Sequence, residues 1–293
     1  GNNFTYLGTS QLLSVPYALY AKNSGDDLGN HTATQNINLG GNWLSGDGSN
    51  EGLRINTDGT THLGVGGMEY FHFLDGRIDV TNTGASIIIG DSAGFHEDLL
   101  GNDNVFIGKA AGRETINGTD NIAIGTDALK YNQIDDGNIA IGTEALYYTE
   151  IGEDNIGIGK TALFYMIEGD NNIAVGEDAL QWLDIGYENV AVGEDALKDV
   201  YFGDYNTSIG GNSMSSLLCG YDNTVVGNYA LSSDTMGSYN TVIGANAGAN
   251  AYGSGNVFLG YAAGANSNNS NELFIENSDD DAANALIYGR FDE

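Results

Sequence analysis

Eleven short apolar runs in this chain end in glycine, and from Gly108 to Gly244 those glycines recur every seventeen residues. The series is Gly90, Gly108, Gly125, Gly142, Gly159, Gly176, Gly193, Gly210, Gly227, Gly244 and Gly260. Only the first interval, eighteen, and the last, sixteen, depart from the period. The unit reads Asn-x-x-(Ile/Val/Leu)-Gly, as in Asn121-Ile-Ala-Ile-Gly125 and Asn172-Ile-Ala-Val-Gly176. A fixed period closed by a fixed residue means one supersecondary unit stacked on copies of itself.

Within each run, alternation sets two residues on one face and the middle one on the other: Ile122 and Ile124 against Ala123. The middle residue is small in most copies (Ala123, Ala140, Gly157, Ala174, Ala191, Ser208), which predicts close approach of another backbone layer or chain. A second apolar anchor follows four residues after the glycine, at Leu129, Leu146, Leu163, Leu180, Leu197, Met214 and Leu231. Glycine also precedes the repeat asparagine by three residues in nine of ten copies, Asp135 being the exception. Gly and Asn tolerate left-handed conformations, so each coil is expected to turn there.

Seventeen residues per coil, holding two short strands and two turns, predict an all-β parallel β-roll or β-solenoid of eleven coils. At the interstrand spacing the rod would be about 50 Å long. A leucine-rich helical solenoid is the rival, but these repeats are too short and too glycine-rich for a helix in each. Four segments follow from the pattern. Residues 1–24 carry a docking or short helical segment starting at Pro16, a favoured first helical position. Residues 25–84 are irregular β structure, with runs such as Leu53-Arg-Ile-Asn and Tyr70-Phe-His-Phe-Leu between glycine turns. Residues 85–266 are the repeat roll. In residues 267–293, Glu272-Leu-Phe-Ile-Glu276 and Leu286-Ile-Tyr-Gly289 flank the acidic run 279–281 as a closing hairpin that caps the sheet edge.

Charge narrows the partners. Forty acidic residues against nine basic give a net charge of −31, a surface that repels nucleic acid and anionic membranes. No apolar run is long enough to span a bilayer. The single cysteine, Cys219, allows no intrachain disulfide. The start at Gly1-Asn-Asn reads as a cut from something longer.

Several motifs imitate catalytic ones. Gly90-Asp-Ser92-Ala-Gly94 fits the G-x-S-x-G nucleophile pattern, but Gly108-Lys-Ala-Ala-Gly112 and Gly260-Tyr-Ala-Ala-Gly264 hold the same repeat positions without serine. Ser92 is therefore read as a repeat variant, with nearby His96 tied to it by nothing in the sequence. Gly159-Lys160-Thr161 resembles the end of a phosphate loop, yet the glycine that motif needs five residues earlier is Asp154. His31, His62, His72 and His96 show no metal-ligand spacing. Neither a catalytic residue nor a cofactor is expected, although a glycoside-cleaving carboxylate pair among so many acids stays open.

Two columns remain. Asp127, Glu144, Asp178 and Asp195 lie two residues after the repeat glycine, a ladder of like charges that would raise pKa values or recruit cations, calcium among them. Six residues after the glycine come Tyr131, Tyr148, Tyr165 and Trp182 in four consecutive coils, thickened by Tyr147 and Phe164. Such rings either stack as a stabilising ladder, buried or between chains, or form an exposed platform for sugar rings.

The motifs Asp120-Asn-Ile-Ala-Ile-Gly125 and Glu188-Asn-Val-Ala-Val-Gly193 resemble the head repeat of trimeric autotransporter adhesins. The Ala-Leu extension (Asp127-Ala-Leu129, Glu144-Ala-Leu146) is closer to tail-fibre-domain proteins of Bacteroidetes and their phages. So are Gln11-Leu-Leu-Ser-Val-Pro-Tyr-Ala-Leu-Tyr-Ala21, Asn42-Trp-Leu-Ser45, Leu273-Phe-Ile-Glu-Asn277 and Leu286-Ile-Tyr-Gly289. The resemblance implies left-handed rolls packed as a homotrimer, in an extracellular fibre of a cell surface, virion or injection system. It further implies attachment to a cell-surface glycan or receptor, or a spacer carrying a separate binding tip, with fibre domains on both sides. Neither the adhesins' membrane anchor nor their C-terminal chaperone domain is seen in residues 1–293.

Overall fold

The computed structural model describes residues 86–97, 102–279 and 285–291, together with five strands between Trp43 and Val80. The helix expected from Pro16 lies outside the described residues. Trp43–Leu44, Gly52–Ile55, Thr61–Val65, Met68–Leu74 and Arg77–Val80 form an antiparallel meander in chain order.

The repeat region is a parallel β-solenoid of about eleven turns, and no described residue is helical. Each apolar run before a repeat glycine is a three-residue strand lying on its copy in the next coil. Ile122–Ile124 lies on Ile139–Ile141, and Ile139–Ile141 on Ile156–Ile158, in a register of seventeen. The sheet extends one strand past the last repeat glycine, because Glu272–Ile275 lies parallel on Val257–Leu259. Ile287–Arg290 then closes that edge antiparallel.

The close approach expected at the small middle residue is made by this chain's own backbone and side chains. The small middle residue points into its own coil, with Ala123, Ala140, Ala174 and Ala191 fully buried. Backbone and leucine anchor together fill the space beside it: a Cβ on Gly157 would sit 3.0 Å from the Ala162 carbonyl oxygen and 3.3 Å from Leu146 Cγ. No second chain is needed to explain the small residue. The flanking aliphatics face outward instead, half-buried or exposed from Ile87 to Leu259.

The repeat asparagines are not turn residues. Asn121, Asn138, Asn155, Asn172 and their copies are fully buried and form a ladder through the rod. Each side-chain oxygen accepts from the backbone N–H of the next asparagine, as Asn121 Oδ1 does from Asn138 at 2.9 Å. Each Nδ2 donates to a backbone carbonyl thirteen or fourteen residues on, as Asn138 does to Gly152 at 2.7 Å. Ladder and sheet together satisfy the backbone of a coil too narrow to admit water. Glu272 ends the ladder: its N–H takes Asn256 Oδ1, and Ser267, Asn269 and Tyr288 donate to its carboxylate.

The residue before each asparagine is left-handed instead, with φ of 53° to 62° at Asp103, Asp120, Asp154, Asn171, Glu188, Tyr205, Asp222 and Tyr239 and of 71° at Gly137 and Gly255. The glycines three residues before the asparagines (Gly118, Gly152, Gly169, Gly186, Gly203, Gly220 and Gly237) have ordinary φ and serve another need. A Cβ at any of them would come within 3.0 Å of a carbonyl oxygen in the next coil. The repeat glycines need both freedoms, with φ between 121° and 145° and a Cβ that would strike the next coil's backbone.

Among the described residues the expected second strand forms in three coils: Tyr148–Ile151, Tyr165–Glu168 and Trp182–Ile185. These segments are rich in aromatic and β-branched residues; elsewhere that side is turn, with isolated bridges at Phe202 and Cys219. The inward residues of this small sheet, Met166 and Leu183, pack in the same core as Ala174 and Ala191. The outward faces of the two sheets therefore lie on opposite sides of that core.

Candidate functional site

The small sheet carries the aromatic column. Adjacent coils bring its rings into contact: Tyr148 stacks on Tyr165 at 5.1 Å and 12°, and beside them Tyr147 stacks on Phe164 at 5.0 Å and 5°. The pairing is a consequence of register, because strands one spacing apart superpose identical positions. Stacking turns ring faces along the rod axis toward one another, so the middle rings offer mainly edges to solvent.

The two ends of the ladder break this order. Tyr131 meets Tyr147 edge-on at 5.2 Å and 80° and tilts 48° from Tyr148 at 6.2 Å. Trp182 tilts 45° from Tyr165 and meets Phe164 edge-on. Tyr131 and Trp182 are each 37 % exposed, while Tyr148 and Tyr165 are half-buried. The structure thus brings all four sequence-selected rings into one strip, as a stack with two open ends rather than a flat platform.

At the Tyr131 end lies a groove of about 240 Å³, lined by Tyr131, Gln133, Ile134, Tyr148, Thr149 and Glu150. Gln133 and Glu150 hold the same place in adjacent coils, eight residues after Gly125 and Gly142, and both are exposed. Sequence reasoning passed over them because that column holds no constant residue type. Their signal was only their place two residues from an aromatic, which for Glu150, on the strand Tyr148–Ile151, is the same face as Tyr148.

Electrostatics around the strip are settled by pairing. Lys130 Nζ binds Asp127 at 2.9 Å and lies 5.4 Å from the Tyr131 ring centre and 5.3 Å from that of Tyr147. The hydrogen bond to Asp127 raises its pKa. Burial raises the Tyr147 phenol.

The acidic column shares one backbone conformation, Asp127, Glu144, Asp178 and Asp195 all sitting at φ of 56° or 57°. Lys198 bridges Asp178 and Asp195 at 3.0 and 2.8 Å, and Thr161 donates to Asp178. Burial pushes the Asp178 carboxyl up, but the Thr161 and Lys198 hydrogen bonds outweigh it and hold it below its usual range. Among the described residues no three His, Cys, Asp or Glu side chains are grouped to hold a metal ion.

The enzyme-like motifs find no partners. Ser92 Oγ contacts only Asp91, at 3.3 Å, while His96 packs on Phe95 and pairs with Glu114 at 3.3 Å. Lys160 is bound to Glu177 at 2.7 Å. No described helix is long and apolar enough to cross a membrane. Comparison with protein-family models, curated proteins and solved structures finds no match to this chain.

Proposed function

We propose that this chain is a non-enzymatic segment of a homotrimeric extracellular fibre that attaches to a cell surface through glycan. One observation carries the reading: two different unpartnered faces lie on opposite sides of one core. The large sheet turns out uninterrupted rows of Ile, Val, Leu and Thr, with Ile124, Ile141, Ile158, Ile209, Ile243 and Leu259 all exposed. Soluble monomers rarely expose a continuous apolar surface running the length of the molecule. Packing against two further copies covers it and supplies the wide core a narrow coil lacks. The aromatic strip then stays outside, repeated on each chain, where multivalency compensates for weak single sites. The acidic surface disfavours nucleic acid and anionic membrane as alternatives.

The stacking of Tyr148 on Tyr165 favours a second reading for the middle coils, a shaft whose rings stiffen the rod while binding lies elsewhere in the fibre. Labelled protein, sized by light scattering and added to bacterial and eukaryotic cells before and after glycan stripping, separates the two. Trimers whose binding disappears on stripping support attachment. Trimers that bind no cell support the shaft, and a monomer at micromolar concentration removes the fibre reading altogether.

A further inference from the structure

We infer that the Tyr131 end of the aromatic ladder is a saccharide subsite, and that it takes a neutral or amino-substituted sugar rather than a sialic or uronic acid. The inference rests on the glycan reading above and narrows it to one place and one ligand class. The place follows from ring geometry. A pyranose stacks its apolar C–H face on the electron-rich face of an aromatic ring. Tyr148, Tyr165, Tyr147 and Phe164 have turned those faces to one another. Tyr131 has left the stack, and the gap between its ring and Tyr148 opens into the groove.

The ligand class follows from the lining. Gln133 brings an amide and Glu150 a carboxylate to one side of the groove, a donor–acceptor pair suited to neighbouring hydroxyls. No lining residue is basic, and the adjacent Lys130 is already held by Asp127. A ligand carboxylate would face Glu150 with no counter-charge; an ammonium or hydroxyl group would be attracted. Trp182, the other open end, is not among the residues that line this groove.

The test is titration calorimetry of the whole chain with five defined probes: cellotetraose, chitotetraose, its deacetylated form, sialyllactose and a hyaluronan tetrasaccharide. Variants are Tyr131→Ala, Tyr131→Phe, Glu150→Gln and Trp182→Ala, each checked for unchanged circular dichroism. The expected result is binding of a neutral or amino probe, weakened about tenfold by Tyr131→Ala but little by Tyr131→Phe or Trp182→Ala. Glu150→Gln should weaken the deacetylated probe most and leave sialyllactose without binding. Preference for sialyllactose or hyaluronan overturns the ligand class while leaving glycan attachment standing. Binding lost with Trp182→Ala and kept in Tyr131→Ala overturns the placement. Glycan-dependent attachment to cells with none of the probes bound overturns the subsite alone; loss of both overturns the parent reading too.

Discussion

A Cβ on Gly112 would lie 2.5 Å from the ring of Phe106, a fully buried side chain in the same coil. In the next coil the sizes are exchanged: Ala123 takes the strand position and Leu129 the anchor position, both fully buried. Phe258 repeats the first solution with Gly264. These coils fill their core by complementary pairs, Phe with Gly or Ala with Leu. Phe106→Ala should cost about 3–4 kcal/mol, and Gly112→Leu about 1–3 kcal/mol through overpacking. The double variant recreates the Ala123–Leu129 pair, and the backbone already allows it, since Leu129 sits at φ 51° and Gly112 at φ 58°. Double-mutant analysis by urea unfolding should return a favourable coupling of about 2 kcal/mol or more. Simple additivity would show that the two positions do not share a space.

The asparagine ladder makes a sharper demand. Asn172 Oδ1 accepts from Asn189 N–H at 3.0 Å and Asn172 Nδ2 donates to Gly186 at 2.7 Å. Asn172→Ala leaves both backbone partners buried without a mate, at a cost of about 2–4 kcal/mol. Thermal melting should fall accordingly, while an exposed neighbour, Glu177→Ala, should change it little. Equal melting points would mean the ladder is incidental to stability.

Asp135 stands where other coils have glycine, 5 % exposed, with one carboxylate oxygen lacking a partner. Burial pushes its pKa up to about 6, an increase opposed by a hydrogen bond from Gly152 and reinforced by Glu153, Asp136 and Asp170. The sign follows from proton binding: between the unfolded value of 3.8 and about 6 the folded state holds more protons. This group's contribution to stability is therefore greatest below that window and is lost as pH rises through it, by about 2–3 kcal/mol. Asp135→Gly restores the residue of the column and should raise the melting point at pH 7 more than at pH 4. An equal shift at both would place the cost in packing rather than ionisation.

Charge placed on the outward rows should act on assembly rather than on the coil. Ile141 is 36 % exposed, so Ile141→Glu buries no new charge within one chain. In a trimer it would bury three carboxylates together, against like charge and without counter-ions. Light scattering should then report a single-chain mass with the β signal retained in circular dichroism. Assembly that persists with Ile141→Glu, in protein that assembles without it, would move the self-association to another face.

Period, strand position and sheet direction could all be read from the spacing of the glycines, because a stacked coil must repeat whatever its backbone needs. Which way the strand faced could not. Ile122-Ala123-Ile124 alternates, but alternation does not say which side is the core, and in most folds the larger residues are inside. Here the coil is so narrow that its core holds Ala123 and one Leu129, and the isoleucines are left outside. The asparagines misled in the same manner. Their residue type suits a turn, yet their side chains serve as internal backbone, a role visible only once the next coil is placed. Of the site, the four ring positions were legible from period alone. Ring orientation was not, nor were Gln133 and Glu150, because both depend on how one coil lies on another.

The repeat glycines, each packed against the backbone of the next coil, make each turn answer only to its neighbours in the stack. Nothing in one rung refers to the total. Duplicating or deleting seventeen residues between Gly193 and Gly227 would lengthen or shorten the rod by one strand spacing, about 4.8 Å, and leave the groove at Tyr131 untouched. Reach and recognition are therefore separate heritable quantities in this protein, one written as a count and the other as a place.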